Sequence, residues 1–148
     1  MKRVEPIPFC IEHLDLFSWR EEDLRTYGTG SEISEALKNH DGGECFTGVY
    51  NGQIVVIGGI VPRTNKTAYA FTIFSEHADN HKIITAKAVR QMFKSIVESI
   101  GIHRIVTYNR LGAENHNKWC EWLGFKKECE VEKFDDEGNT YTQYALIR

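Results

Sequence analysis

The sequence predicts an α/β domain, close to α+β, built on a mixed, mostly antiparallel central sheet with helices on both faces. Three observations carry that reading. Asn51-Gly52 joins two β-rich runs at 45–50 and 53–61, and this dipeptide favours a type I′ hairpin because both turn residues take positive φ. Ala88, Val89, Met92, Phe93, Ile96, Val97 and Ile100 recur at helical spacing, and Gly101 follows at once, where a C′ glycine belongs. Asp135-Asp136-Glu137-Gly138-Asn139 links two more β-rich runs, 125–134 and 140–147, as a five-residue hairpin turn.

The remaining elements fall into place around these. Residues 2–8 read as a short strand, and Pro6 and Pro8 place it at a sheet edge, where a missing N–H does no harm. Residues 11–27 carry Leu14, Phe17 and Leu24 among charged residues, as a broken amphipathic helix would. Ser31 is positioned to cap a second helix over 31–39, with Ile33, Ala36 and Leu37 on its apolar face. Asp41-Gly42-Gly43 breaks the chain. Pro62 ends the second meander strand, 63–66 form a polar turn, and 67–75 form the third strand. The helix from Ile84 then makes a crossover, so the strands at 67–75 and 104–108 can run parallel. A short helix over 115–123 is closed by Gly124.

The totals exclude several classes. The chain has 148 residues, which suits a single domain over 1–148 burying roughly 68–70% of its unfolded surface. A formal charge of −3 gives no basic face for nucleic acid. No apolar run approaches the ~20 residues of a membrane span, and the N-terminus MKRVEPIPF lacks an apolar signal core, so a cytoplasmic product is expected. The cysteines at 10, 45, 120 and 129 form no C-x-x-C pair and read as free thiols. His77 and His81 are four apart but lack the glutamate of H-E-x-x-H, so no metal site is expected. No G-x-S-x-G, G-x-G-x-x-G or P-loop pattern occurs.

The element order, the Asn-Gly hairpin leading into Gly-Gly-Ile-Val-Pro, the long helix after the third meander strand, and the closure by Trp119, Gly124 and Phe125 resemble the GNAT acyltransferases. The resemblance covers nearly the whole chain. His116, Trp119, Trp122, Leu123, Gly124 and Phe125 also match a His-x-x-Trp-x-x-Trp-Leu-Gly-Phe segment similar to that of GNAT-like proteins of tailed phages, among them a virion-assembly protein of T7-like phages.

The resemblance implies a splay between the fourth and fifth strands, with the pantetheine arm of acetyl-CoA in the gap. Phe74, Ser75 and Asn109 would border that arm. It also implies a pyrophosphate at the start of the long helix, where free N–H groups and the helix dipole favour an anion. Here the chain departs from the family. The usual R/Q-x-x-G-x-G/A loop is replaced by Glu76-His77-Ala78-Asp79-Asn80-His81-Lys82, with no glycine between Gly59 and Gly101. This weakened phosphate loop reads in two ways. In one, His77, Asn80, His81 and Lys82 supply side-chain donors to the phosphates. In the other, the loop is a polar connection in which Asp79 or Asn80 caps the helix.

The catalytic positions are likewise open. Many GNAT enzymes carry a tyrosine four residues before the glycine to protonate the departing thiolate; that position is Cys120. A thiol with a pKa of about 8.5 can protonate a thiolate of similar basicity, and a cysteine on the apolar side of a short helix is also ordinary core. Tyr108 is a second candidate acid and equally a packing residue. Glu76, with His77 as alternative, is the candidate base for an ammonium that must lose a proton. His116 reads either as ligand-facing or as part of the helix start.

Two functions follow. One is an acyl-CoA-dependent N-acyltransferase with a small-molecule or protein amine as acceptor, entering near the acidic segment 20–30. The other is a GNAT-like phage protein without catalysis, binding virion or host proteins in the host cytoplasm. The missing glycines and Cys120 favour the second; the strand layout and the acidic acceptor segment favour the first.

Overall fold

The protein is described from a computed structural model, which places residues 3–20 and 45–148. The helix expected over 31–39, the break at 41–43 and residues 21–30 of the acceptor segment lie outside the described residues. Seven strands form one sheet: β1 (Glu5–Pro8), β2 (Cys45–Tyr50), β3 (Gln53–Pro62), β4 (Thr67–Phe74), β5 (Arg104–Arg110), β6 (Lys126–Val131) and β7 (Tyr141–Ile147). Their order across the sheet is β1-β2-β3-β4-β5-β7-β6. Two α-helices are described, α1 (Lys82–Ile100) and α2 (Glu114–Trp122). This is the mixed, mostly antiparallel α/β architecture that the sequence predicts.

The chain divides into two compact units, Met1–Val61 with Phe71–Ile100, and Pro62–Ala70 with Gly101–Arg148. In the first, β1 pairs antiparallel with β2, and β2 with β3. β1 is an outermost strand, as its prolines require. Asn51 (φ 52°) and Gly52 (φ 74°) both take positive φ, the geometry of a two-residue hairpin. Phe9, Val55, Val56, Ile57, Ile60, Ile73, Val89 and Val97 are fully buried. In α1 the buried residues are Thr85, Val89, Phe93 and Val97, one stripe at four-residue spacing. Gly101 ends the helix with φ 66°.

The helix expected over 11–27 is not what the described part adopts. Ile11–Leu14 is a single 3-10 turn. His13 Nδ1 accepts the Cys10 N–H at 3.3 Å and lies 2.7 Å from Thr47 Oγ1 on β2. This tertiary anchor holds the turn, and the chain then extends until Trp19 bridges Ser75.

In the second unit β5 pairs antiparallel with β7 along seven residues, and β7 with β6. β4 and β5 are parallel, as the crossover predicts, but their ladder contains only Thr67↔Arg104, Ala68↔Ile105 and Tyr69↔Val106. β4 continues to Phe74 and β5 to Arg110, so the ladder ends well before either strand does. Ile105, Phe125, Tyr141, Tyr144 and Ala145 are buried. The β6–β7 turn is held by Asp135, whose Oδ1 accepts the N–H groups of Glu137 (3.1 Å) and Asn139 (2.8 Å). None of the four cysteines is in a disulfide. No described helix is long and apolar enough to cross a membrane.

Candidate active site

In the first unit the sequence-predicted residues gather where β4 ends. Ser75 is fully buried. Its N–H donates to Val55 O at 3.0 Å and its Oγ to Ile54 O at 2.7 Å, so both bonds tie it to β3. Its Oγ also accepts the His77 N–H at 3.2 Å, capping a 3-10 turn over Glu76–Asn80. Backbone groups alternate sides along an extended strand. The Glu76 N–H therefore faces away from β3, and there it donates to Ser18 O at 2.9 Å.

Ser18, Trp19 and Arg20 thus lie antiparallel to the end of β4. The Trp19↔Ser75 bridge sets Ser18 opposite Glu76 and Arg20 opposite Phe74, and the side chains follow that register. Ser18 Oγ donates to Glu76 Oε2 at 3.0 Å. The Arg20 guanidinium sits 5.7 Å from the centre of the Phe74 ring and forms an ion pair with Asp79. Glu76 is exposed, while Phe74 and His77 are half-buried and Asn80 is exposed.

The cap of α1 differs from expectation. His81, not Asp79 or Asn80, precedes the helix, and its carbonyl accepts the Thr85 N–H at 3.1 Å. The 3-10 turn closes on itself through His81 N–H to Ala78 O at 2.9 Å, which moves the helix start to Lys82, and Asp79 is drawn to Arg20. The His81 ring lies 4.5 Å from Tyr50 of β2. Lys82 is exposed. In the first turn Thr85 is fully buried, and its Oγ1 has no hydrogen-bond partner among the described residues, an exception among buried polar atoms.

In the second unit Tyr108, Asn109, His116 and Cys120 belong to β5 and α2. The buried Asn109 side chain donates to Asn117 Oδ1 at 3.2 Å and to Cys120 Sγ at 3.3 Å. Its amide is therefore directed at α2. Cys120 is 4% exposed. Burial pushes its thiol pKa up, the Asn109 hydrogen bond opposes the rise, and Glu121 adds to it. Tyr108 is half-buried between Tyr69 at 5.8 Å and Phe134 at 4.6 Å, and Phe134 meets Tyr141 at 4.6 Å. His116 is half-buried on the first half of α2.

Sequence reasoning did not single out Ser18 or Tyr144, and it named Arg20 only as part of the acceptor segment 20–30. Ser18 and Arg20 meet the loop through contacts 58 and 59 residues apart, and no local pattern signals such pairs. Tyr144 is buried on β7, and its phenol pKa is raised by burial and by the neighbouring Glu121, Cys120 and Glu114. Its place in an alternating strand was readable, but its neighbours on α2 were not. Among the described residues no three His, Cys, Asp or Glu side chains converge as a metal would require.

No protein-family profile and no curated protein matches the chain. Solved structures do. An acetyltransferase of the GNAT family from Bacillus anthracis is similar with a TM-score of 0.76 at 14% identity, covering 99% of this chain and 95% of that one. Ard1 from Thermoplasma volcanium gives 0.77 at 11% identity, with 97% of both chains covered. A GNAT family acetyltransferase from Elizabethkingia anophelis with acetyl-CoA bound gives 0.73 at 10% identity over 100% of both chains. At these identities the likeness is one of fold, and the fold of this chain is that of the GNAT acetyltransferases.

Proposed function

We propose that the protein is an acyl-CoA-dependent N-acyltransferase that moves an acetyl group from acetyl-CoA to an amine by direct attack. The observation that carries the proposal is the early end of the β4–β5 ladder at Tyr69↔Val106 in a chain with the GNAT fold. β4 runs on past the last paired residue to Phe74, and an extended donor could borrow backbone hydrogen bonds from that stretch.

The residues at hand fit such a donor. The first N–H groups of α1 face an anion favourably, Lys82 and His81 stand at that end, and Thr85 Oγ1 is a buried hydroxyl without a partner among the described residues. Arg20 offsets the charge of Asp79, which otherwise opposes a phosphate. In the reaction, Glu76 removes the ammonium proton, directly or through water. The amine nitrogen forms the C–N bond, the C–S bond breaks, the nitrogen gives up its second proton as the amide forms, and the thiolate takes up a proton. Cys120 and Tyr108 are the acid candidates in β5 and α2. The protein's main contribution is alignment of the two substrates.

Calorimetric or melting titration with acetyl-CoA tests this. At a hundredfold excess over Kd, a ligand that binds only the folded form adds about 2.7 kcal/mol, a shift of several degrees. No shift at millimolar acetyl-CoA removes the enzyme reading. One feature favours a second reading, a non-catalytic GNAT-like phage protein that docks on virion or host proteins. Trp122, inside the segment that resembles phage proteins, is 41% exposed and stacks on Trp119 at 5.4 Å. Loss of partner binding on Trp122→Ala, with no acetyl-CoA binding by the unaltered protein, would favour it.

A further inference from the structure

We infer that Ser18 is a positioning residue for the reaction, holding the Glu76 carboxylate in the orientation from which it takes the acceptor's proton. The inference rests on the acyltransferase reading above and deepens it by assigning a second residue to the base.

The two residues are joined twice. The Glu76 N–H donates to Ser18 O at 2.9 Å, and Ser18 Oγ donates to Glu76 Oε2 at 3.0 Å. The backbone bond fixes where Glu76 starts, and the hydroxyl fixes where its carboxylate ends. An exposed glutamate otherwise samples many rotamers, and catalysis depends on a base held within hydrogen-bond reach of its proton. Engaging Oε2 still leaves the carboxylate's other oxygen to accept that proton.

The surroundings make Ser18 a fixed point. Trp19 is bridged to Ser75, and Ser75 is itself tied to β3 by its N–H and Oγ. Trp19 packs against the buried Phe17 at 5.0 Å. On the other side Arg20 is held by Asp79 and by the face of the Phe74 ring. Ser18 is therefore clamped by both neighbours, and its hydroxyl has a defined direction. A serine kept only to hold the segment in place would not need that hydroxyl, because the backbone bond and the flanking contacts already do so.

The test uses the full chain with acetyl-CoA and three amines, spermidine, L-lysine and a short peptide with a free N-terminus, and follows loss of thioester absorbance. On the acceptor that the unaltered protein uses, S18A lowers kcat by roughly tenfold, the size expected for one charge-assisted hydrogen bond. KM for acetyl-CoA and the melting temperature stay as they were. S18T, which keeps the hydroxyl, restores most of kcat. E76Q lowers kcat by about a hundredfold or more, and S18A/E76Q is no slower than E76Q alone, because the two act as a unit. An S18A enzyme with unaltered kcat overturns the inference, as does the same tenfold loss from S18A in the E76Q background. If S18A melts early, S18T against S18C decides: both fill the site, and only threonine keeps a strong donor, so equal rates overturn it. An unaltered protein that turns over none of the three amines counts against the acyltransferase reading itself.

Discussion

The side-chain amide of Asn109 donates a hydrogen bond to the sulfur of Cys120, from β5 to α2, at 3.3 Å. Its other N–H goes to Asn117 on the same helix at 3.2 Å. One amide thus satisfies two helix positions, and both would be stranded by its loss. Asn109→Ala is expected to destabilise the protein by about 1–3 kcal/mol, the range for leaving buried polar partners unsatisfied. Urea denaturation measures this. An unchanged midpoint would mean that these contacts do not outlast solution conditions.

Raised thiol and phenol pKa values give the alkaline limb of stability its sign. Cys120 and Tyr144 are both shifted up from their ordinary values, chiefly by burial. A group whose folded value lies above its unfolded one keeps its proton better in the folded chain. Its contribution is complete below the unfolded value and lost as pH rises through the folded one. Stability should therefore fall above about pH 9, and the fall should be shallower in Cys120→Ala. Melting temperatures between pH 8 and pH 11, at about one-unit steps, check this.

Gly48 is enclosed. A Cβ there would lie 2.6 Å from Val56 Cγ1 and 2.9 Å from Val4 Cγ1, and both valines are buried. Gly48→Ala should cost about 1–3 kcal/mol by overpacking, read as a lowered melting temperature. The β2–β3 register shifts between Gly48 and Val49, which leaves the strand little slack to absorb the methyl group. A variant that melts with the parent would show that the strand yields.

Charge in the 76–82 loop should govern acetyl-CoA affinity if the proposed function holds. Lys82→Glu is expected to weaken binding by roughly three- to tenfold and Asp79→Asn to strengthen it by a smaller factor, both effects shrinking with added salt. Isothermal calorimetry at two ionic strengths reads both. Equal affinities across the three proteins would take the phosphates away from this loop.

These variants also show what was legible. The hairpin at Asn51-Gly52, α1 with its glycine stop, the outermost strand marked by Pro6 and Pro8, and the parallel pair all follow from local chemistry: positive φ, helical period, a missing N–H and a crossover. The described part of the run expected as a helix, residues 11–20, did not, because its residues serve tertiary anchors. Phe17 is buried beside Trp19, His13 meets Thr47, and Trp19 pairs with Ser75. The helix cap failed for the same reason, since Asp79 has a suitable side chain but a partner 59 residues away. Of the candidate site, the polar connection before α1 and the place of Cys120 on a short helix were readable. That Asn109 faces Cys120, and that Ser18 holds Glu76, depended on which strands and turns meet.

The two outermost strands of the sheet differ in how they refuse company. β1 brings Pro6 and Pro8 to its register with Gly48 and Phe46, and two residues there have no N–H to offer. β6 is lined with exposed Lys126, Lys127, Glu128 and Glu130, and its pairing slips between Lys127 and Cys129. A stray strand from another molecule meets missing donors at one margin and a kinked, charged ridge at the other. Such margins guard against filament growth at high concentration. Replacing both prolines with threonine would turn the first margin into a template for aggregation.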